Sequence, residues 1–308
     1  MSARRREAPA SLGGEQVEGR RAVRELLVAR RRRVREVLIA RGEEPSPALA
    51  ELDSLAAAAG ARVRHVAPEL LAARARTAAP QGVLAVTEAL RPARLEALVR
   101  GAAGGARAPF LVVLDGVTDP QNLGAILRSA LSAGATGVLL PRQRAAHLSP
   151  AAVKASAGAV EHLPIALVPG VPAALLTLRR AGVWSVGLDP EGPRSVYELG
   201  LAEAPVAVVL GAEGRGLAPL TRRRCDVLAR IPLVGPLGSL NVSAAAAVAL
   251  FSIARSRECA PDPPAVAGRS GAGSPRSGPG NRGGRPNLPG TLPDSVRAGP
   301  RHPLAPPR

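Results

Sequence analysis

Aromatic residues are nearly absent from this sequence of 308 residues, in which they make up 1% of positions. The aromatic side chains are Phe110, Trp184, Tyr197 and Phe251. Such a small set excludes an extended aromatic surface for stacking nucleic-acid bases. The hydrophobic fraction of 46% comes instead from Leu, Val and Ala, and the chain is long enough to bury a core in about two domains.

Cysteine and histidine are too sparse for several classes of site. Cys225 and Cys259 cannot form a disulfide framework or a zinc site, and their number is typical of a reducing interior. The histidines, at positions 65, 147, 162 and 302, lack the spacing of metal ligands, so we expect no structural metal.

Long apolar runs are also missing. The longest run, residues 244–251, is far shorter than the roughly 18–20 residues that span a bilayer. Residues 1–14 are basic but contain no apolar segment of the secretory type. We therefore expect a soluble, cytoplasmic protein with no membrane partner.

Positive charge is abundant. Forty-one basic residues against 24 acidic ones give a net charge of +17, and Lys154 is the single lysine among the arginines. Such an excess favours a polyanionic partner. The totals would equally follow from a coding composition biased towards Ala, Arg, Gly and Pro, so charge alone leaves both readings open.

Composition divides the chain into five segments. We expect a flexible N-terminus over residues 1–14, a small α/β domain over 15–88, a helix and flexible linker over 89–108, a larger α/β domain over 109–258, and a tail over 259–308. From residue 261 onwards the tail has 12 Pro and 9 Gly in 48 residues. It cannot bury enough apolar surface to offset its ordering entropy, so we predict that it is disordered.

The first domain carries a dense cluster of arginines. Its pattern predicts a helix over residues 19–33, strands over 34–39, 62–66 and 83–87, and a helix over 47–60. A charge run is usually a solvated face, but five arginines in six positions favour contact with phosphates. The candidate RNA-binding residues are Arg30, Arg31, Arg32, Arg33 and Arg35.

The second domain alternates apolar runs with helical segments. The runs cover residues 110–115, 137–140, 163–168, 183–188 and 206–210. This alternation predicts a mostly parallel sheet covered by helices. A final helix is predicted over residues 240–255, with an apolar stripe formed by Val242, Ala246, Leu250 and Ile253.

Three loops follow strands of this sheet, where ligands bind in open α/β folds. In the first loop Asn122 suits a helix N-cap, and Gly124 and Arg128 share one helical face. The absence of a side chain at Gly124 would let a substrate backbone approach there while Arg128 reaches it. The alternative is an ordinary capped helix with a surface arginine, and this loop by itself does not decide between them.

The second loop places Glu213 among Gly211, Gly214 and Gly216. Its glycine spacing differs from the dinucleotide fingerprint and from a Walker loop, which disfavours a nicotinamide enzyme and an NTPase. In the third, a short strand over residues 229–233 leads into a Gly/Pro loop, after which Ser239 or Asn241 suits the cap of the final helix.

In this order and spacing, the three segments resemble the SpoU (TrmH) class of SPOUT methyltransferases, which transfer a methyl group from S-adenosylmethionine to the ribose 2′-hydroxyl of RNA. Residues 115–120 and 79–83 look most like the RlmB-type members, which modify a guanosine of 23S ribosomal RNA. The motif residues are Asn122, Gly124 and Arg128; Gly211, Glu213 and Gly216; and Ser-Leu-Asn-Val-Ser over 239–243.

The resemblance implies a C-terminal SPOUT α/β domain with a deep trefoil knot, a small N-terminal substrate-binding domain, and a homodimer with the site near its interface. The apolar stripe of the last helix is compatible with that dimer. The implied cofactor is S-adenosylmethionine and the implied partner is RNA. The implied cofactor contacts are Leu210, Gly211, Gly216, Ile231, Leu233 and Leu240.

The resemblance assigns Arg128 the central catalytic role, completed by the residues Asn122, Glu213, Ser239 and Asn241. Because a guanidinium stays charged, we expect Arg128 to bind an RNA phosphate and stabilise the developing alkoxide, with Glu213 positioning Arg128 or nearby amides. Two alternatives stay open: a member that binds RNA without catalysis, and an enzyme of the same class that methylates a tRNA guanosine or an rRNA adenosine.

Overall fold

The structure is a computed structural model that describes residues 11–42, 47–100, 108–143, 147–201, 204–236 and 238–258. The predicted tail and most of the predicted flexible N-terminus lie outside these residues. Within them, no helix is long and apolar enough to cross a membrane. The same residues contain no group of three or more His, Cys, Asp or Glu side chains able to hold a metal ion.

The N-terminal domain is a four-stranded mixed sheet in the order β1-β4-β2-β3. Strand β4 pairs antiparallel with β1 and β2, whereas β2 and β3 are parallel. Its elements are β1 (Gln16–Glu18), α1 (Arg20–Ala29), β2 (Val34–Ala40), α2 (Pro47–Ala58), β3 (Arg62–Val66), α3 (Pro68–Arg74) and β4 (Val83–Thr87).

Helix α1 is shorter than predicted. It ends at Ala29 because Arg30 takes the left-handed conformation, with φ 50°. The buried positions of α1 are Ala22, Val23, Leu26 and Leu27, at helical spacing. Strands β3 and β4 have the predicted bounds, while β1 and α3 were not predicted.

The second domain contains, among the described residues, a seven-stranded sheet in which every pair is parallel. Its order is β7-β6-β5-β10-β8-β11-β9. The elements are α4 (Leu95–Val99), β5 (Phe110–Asp115), α5 (Pro120–Ser132), β6 (Gly137–Pro141), α6 (Pro150–Ala155), β7 (Ile165–Val168), α7 (Val171–Arg180), β8 (Trp184–Leu188), β9 (Arg194–Ser195), β10 (Val206–Gly211), α8 (Pro219–Arg224), β11 (Val227–Arg230) and α9 (Val242–Glu258).

Helices cover both faces of this sheet, which explains why its strands are continuous apolar runs. Side chains of α5, α6 and α9 belong to one apolar cluster, and those of α4 and α7 belong to the cluster on the other face. The first cluster continues into the N-terminal domain, where it includes Leu26 and Leu27 of α1. The two domains therefore share one core.

The segment predicted as a linker is partly integrated into the second domain. Ala93 forms a β-bridge with Ala166, and Leu98 of α4 is buried in contact with Gly137, where an added Cβ would lie 2.8 Å from Leu98 Cδ2. Residues 101–107 of the predicted linker lie outside the described part of the chain.

The last helix contacts its own chain through the predicted apolar stripe. Ala246, Leu250 and Ile253 are buried, and Val242 is half-buried. These side chains belong to the core cluster shared with α5. The stripe therefore packs into the core of its own chain and does not present its side chains to a second subunit.

Candidate active site

The first two motif loops meet because their strands are neighbours. Strands β5 and β10 pair in parallel, with Gly211 opposite Asp115 at their carboxyl ends. Asp115 Oδ2 also accepts a hydrogen bond from the backbone N–H of Ala218, at 3.0 Å. The loops that follow the two strands are thereby held side by side at the carboxyl edge of the sheet.

Glu213 joins side chains from all three motifs. Its Oε2 accepts a hydrogen bond from Asn122 Nδ2 at 3.1 Å, and its Oε1 accepts one from Asn241 Nδ2 at 3.4 Å. Asn122 is buried, whereas Glu213 and Asn241 are exposed. A carboxylate held by two amides presents a fixed negative charge at the surface of the site, and we call these three residues the amide–carboxylate cluster.

Capping differs from the prediction in a way that explains this cluster. Asp119, not Asn122, caps α5: its carboxylate accepts from the N–H groups of Gln121 and Asn122, at 3.1 and 3.2 Å. The Asn122 side chain is thus free to bind Glu213. Asn241 Oδ1 caps α9 by accepting from Ser243 N at 2.8 Å, so its amide nitrogen remains available to Glu213.

Gly124 has a packing role that sequence reasoning missed. A Cβ there would lie 2.4 Å from Ala155 Cβ and 2.6 Å from the Ala152 carbonyl oxygen. The missing side chain therefore lets α5 approach α6. The expected approach of a substrate backbone to Gly124 was wrong, because α6 occupies that space.

The glycine loop is folded back on itself. Ala212 and Gly216 exchange two backbone hydrogen bonds, at 2.9 and 2.8 Å, and a Cβ on Gly211 would lie 2.1 Å from the carbonyl carbon of Gly216. Gly214 and Gly216 have φ values of 73° and 67°, which favour glycine. This tight loop carries Glu213 on its outer turn.

The segment after β11 has the character of a ligand cradle. Among the described residues from Ile231 to Leu240, no backbone N–H or C=O group forms a hydrogen bond within the chain. Leu233 and Leu240 expose 41% and 42% of their surface. Most of these residues are exposed, so their backbone groups can bind water or a ligand. Free amides beside apolar side chains fit an adenosine-containing cofactor. These residues therefore fit the predicted S-adenosylmethionine contacts.

Arg128 lies apart from the amide–carboxylate cluster. It follows Asn122 by six residues on α5, which is about 9 Å along the helix axis, and it shares the face of Gly124. Its side chain is exposed and forms no hydrogen bond or ion pair with any residue that the structure describes. We expected Glu213 to position either Arg128 or nearby amides. The described residues show no contact between Glu213 and Arg128, whereas Glu213 does bind the side-chain amides of Asn122 and Asn241. Arg128 lines a cavity between the domains instead.

Ser239 is exposed in the loop before α9, and Asn241 replaces it as the cap. Leu210 is buried at the end of β10, and Ile231 is half-buried after β11. Gly216 has open space on the side where a Cβ would lie. The structure thus places Leu210, Gly211 and Gly216 on the glycine-loop side of the site, and Ile231, Leu233 and Leu240 on the segment after β11.

The arginine cluster of the first domain divides into two groups. The Arg32 side chain is 4% exposed and forms an ion pair with Glu161, which is 1% exposed. Arg31 donates to the carbonyl oxygens of Glu161 and Leu163, at 3.1 and 3.2 Å. The prediction that Arg32 contacts RNA was wrong, because its guanidinium is buried between the domains. Arg30, Arg33 and Arg35 are exposed, and Arg31 is exposed as well although it donates to the second domain.

Sequence reasoning missed five polar residues that line the cavity with Arg128: Glu18, Arg20, Arg21, Gln81 and Lys154. One signal was available, since Lys154 is the single lysine of the chain. The others gave none, because nothing in their local sequence places α1 and the 75–82 loop beside α5.

Comparison with known proteins matches both domains. The profile of the SpoU rRNA methylase family covers residues 109–251, and that of the RNA 2′-O ribose methyltransferase substrate-binding domain covers residues 16–93. The 23S rRNA (guanosine-2′-O-)-methyltransferase RlmB of Photobacterium profundum is 39% identical over 218 residues, which span 69% of this chain and 84% of that protein. The RlmB of a Burkholderia species is 45% identical over 204 residues, which span 66% of this chain and 81% of that protein.

Solved structures agree with this assignment. The SpoU methyltransferase AviRb from Streptomyces viridochromogenes, in complex with AdoMet (S-adenosylmethionine), superposes with a TM-score of 0.65 at 28% identity, covering 79% of this chain and 90% of that one. An AdoMet-bound rRNA methyltransferase from Sinorhizobium meliloti superposes with a TM-score of 0.64 at 28% identity, covering 78% of this chain and 86% of that one. The two matched domains, the curated relatives and these folds show that the chain belongs to the SpoU rRNA methylase family.

Proposed function

We propose that this protein is an S-adenosylmethionine-dependent RNA 2′-O-ribose methyltransferase that acts on a guanosine of 23S rRNA. The observation that carries the proposal is the amide–carboxylate cluster, in which Asn122, Glu213 and Asn241 join the three motifs beside a loop with free backbone groups. The RNA target is supported by the curated relatives, which are named for that reaction.

The cofactor would lie between the glycine loop and the segment after β11. Leu210, Gly211 and Gly216 would contact it from one side, and Ile231, Leu233 and Leu240 from the other. When bound, S-adenosylmethionine supplies a methyl group on a positively charged sulfur. The exposed leucines would exclude water from an apolar part of the ligand, and the free backbone groups would bind its polar edges.

Methyl transfer is an in-line displacement, so the residues of this chain act mainly by orienting the ribose hydroxyl. Arg128 would donate hydrogen bonds to an RNA phosphate and to the ribose O2′, which gives up its proton to solvent as its bond to the methyl group forms and the methyl–sulfur bond breaks. The amide–carboxylate cluster holds the first motif loop, the glycine loop and the start of α9 in one arrangement. Ser239, in the exposed loop before α9, would contact the substrate.

We infer that the C-terminal segment is threaded as a trefoil knot, as in the SPOUT fold that the sequence resembles. Two contacts support this. A Cβ on Gly192 would lie 2.6 Å from the carbonyl carbon of Ala229, and Arg230 donates to the Gly192 and Pro193 carbonyls at 2.8 Å. The chain after β8 therefore crosses closely over β11.

We further propose a cytoplasmic homodimer. Support comes from apolar side chains left exposed around α9: Phe251 is 49% exposed and Tyr197 is 59% exposed. Their chain neighbours are in contact, since Ser252 Oγ donates to the Val196 carbonyl at 3.3 Å. Sedimentation of Phe251→Asp, compared with Glu258→Gln, tests the interface: a shift of Phe251→Asp alone towards monomer supports it, and an unchanged dimer overturns it.

RNA would also contact the exposed arginines of the first domain, Arg30, Arg33 and Arg35. Arg31 supports that surface from the domain interface through its bonds to Glu161 and Leu163. These contacts would be made to phosphates, whose recognition depends on charge and shape.

Mapping of 2′-O-methyl groups on total RNA tests the function. A strain that lacks this gene should lose one 2′-O-methylguanosine of 23S rRNA, and the wild-type gene should restore it. Loss of a methyl group from a tRNA or from an rRNA adenosine would identify that RNA as the substrate instead. An unchanged map, together with no heat of S-adenosylmethionine binding in calorimetry, would identify a binding-only member.

A further inference from the structure

A cavity of about 780 Å³ lies between the two domains, on the α5–α6 side of the catalytic domain. Residues of the N-terminal domain form one wall, and Arg128, Lys154 and Ala157 contribute to the other. The basic side chains among its lining residues are Arg20, Arg21, Arg128 and Lys154. Both domains thus contribute cations to one opening.

Three of these cations have no carboxylate partner among the described residues. Arg21 and Arg128 form no hydrogen bond or ion pair there, and Lys154 Nζ donates to two uncharged groups, the Ala79 carbonyl and Thr77 Oγ1. Glu18 also lines the cavity, but it is fully buried and accepts hydrogen bonds from the N–H groups of Arg76 and Thr77, at 2.7 and 3.0 Å. Unbalanced positive charge around a cleft attracts an anion.

Lys154 differs in kind from the cations around it. Of 41 basic residues it alone is lysine. An ammonium is a compact point charge with three donors, whereas a guanidinium is a planar fork. Two Lys154 acceptors belong to the N-terminal domain, so this side chain connects α6 to the opposite wall and retains one donor for a ligand.

The size and lining of the cavity favour a sugar–phosphate backbone over a stacked base. Its volume lies within the range of about 300–1,000 Å³ that is typical of small-ligand sites. Alanine and glycine are prominent among its other lining residues, and no aromatic side chain of the described residues lines it. Phosphates are therefore the groups that this lining can bind.

The walls of the cavity are held in a fixed relation. The buried pair of Arg32 and Glu161 connects the two domains. Gly158 allows α1 to approach the segment after α6, since a Cβ there would lie 2.5 Å from Glu25 Cβ. A preorganised arrangement of cations loses little entropy when it binds an anion.

We propose that this interdomain cavity receives the phosphodiester backbone of the substrate RNA next to the target nucleotide, with Arg21 and Lys154 as positioning residues. The inference rests on the proposed function, because Arg128 belongs both to the cavity and to the candidate active site. Arg21 and Lys154 would set the path of the RNA strand, and Arg128 would act where that path reaches the methyl donor.

The test measures RNA binding separately from catalysis. Full-length wild type, Arg21→Gln, Lys154→Met and Lys154→Arg are titrated with unmodified 23S rRNA transcribed in vitro, at salt concentrations from 50 to 200 mM. Arg180→Gln is the matched control, since Arg180 is exposed on α7 at the opposite face of the sheet. Methyl transfer gives KM and kcat for each variant, and calorimetry gives S-adenosylmethionine affinity.

Arg21→Gln and Lys154→Met should each weaken RNA binding about 3- to 10-fold and make the log–log salt dependence shallower by about 0.7–0.9, the change expected for one lost phosphate contact. KM for RNA should rise with kcat nearly unchanged, cofactor affinity should stay constant, and Lys154→Arg should keep the wild-type salt slope.

Lys154→Met could weaken RNA binding simply by loosening the contact between the domains. The Arg21→Gln result is free of this effect, because Arg21 forms no hydrogen bond or ion pair with a described residue. A wild-type RNA affinity and salt slope in Arg21→Gln overturns the inference. Failure of the proposed function looks different: the wild type would then leave the RNA unmethylated, whatever the variants do to binding.

Discussion

Removing the buried negative charge of Glu161 should destabilise the protein strongly. Glu161 Oε1 and Oε2 accept from Arg32 at 2.5 and 3.1 Å, and both side chains are almost completely buried. In Glu161→Gln the guanidinium keeps its charge and loses its counter-ion. Breaking a buried pair in this way costs about 3–5 kcal/mol, a large part of the roughly 5–15 kcal/mol that stabilises a typical domain.

The assay is urea unfolding followed by far-ultraviolet circular dichroism. With a denaturant slope of about 2–3 kcal/mol per molar, the expected loss lowers the midpoint by about 1–2.5 M. The control is Glu25→Gln, which removes two partly exposed ion pairs, one with His162 and one with Arg24; the side chains of Glu25, His162 and Arg24 are 28%, 32% and 44% exposed. The pair with His162 is worth about 0–1 kcal/mol and solvent screens the pair with Arg24, so their loss should lower the midpoint much less than Glu161→Gln does.

Replacing both partners should restore only part of the stability. Arg32 NH1 also donates to the carbonyl oxygens of Gly14 and Glu88, both at 2.6 Å. In Arg32→Met/Glu161→Leu these acceptors lose their donor, at about 1–3 kcal/mol for each that stays buried and unsatisfied. A Glu161→Gln midpoint equal to that of Glu25→Gln would refute the reasoning.

Three further substitutions test local features of the site. Gly124→Ala should lower the melting temperature, because the clash with Ala155 costs about 1–3 kcal/mol or more and outweighs a gain in helix propensity of about 1 kcal/mol; a higher melting temperature contradicts this. Asn122→Asp places a second carboxylate beside Glu213 and should slow methyl transfer about 100-fold by displacing the loop, which a normal rate would disprove. Burial raises the pKa of Cys225 to about 12, so in a Cys259→Ser background a thiol reagent at pH 8 should label the protein only after unfolding; rapid labelling of the native protein would show an accessible thiolate.

The central strands were predictable because burial on both faces leaves a continuous apolar run. Strand β5 has the predicted bounds, and β10 extends one residue further, to Gly211. Strands β1 and β9 have three and two residues and depend on their partners, so no local pattern marks them. The end of α1 was also hidden, since Arg30 adopts a positive φ that non-glycine residues rarely take.

The site was predictable as a set of motifs but not as a geometry. Asp119 precedes Pro120 at the helix start, and a proline at the first helical position was an available signal for the true cap. Arg128 is separated from Glu213 because it lies six residues beyond Asn122, the Glu213 partner on α5. The local sequence does not separate Arg32 from the neighbouring arginines. Its different role depends on its partner Glu161, which lies 129 residues later in the chain.

Single-turnover methyl transfer to unmodified 23S rRNA tests the central claim most directly. Wild-type protein and Arg128→Ala are each mixed in excess with RNA and labelled S-adenosylmethionine, and the RNA is digested to nucleosides. The wild type should yield one labelled product, 2′-O-methylguanosine, and Arg128→Ala should form it far more slowly while RNA remains bound. Label on a base, or a near-normal rate for Arg128→Ala, would contradict the account.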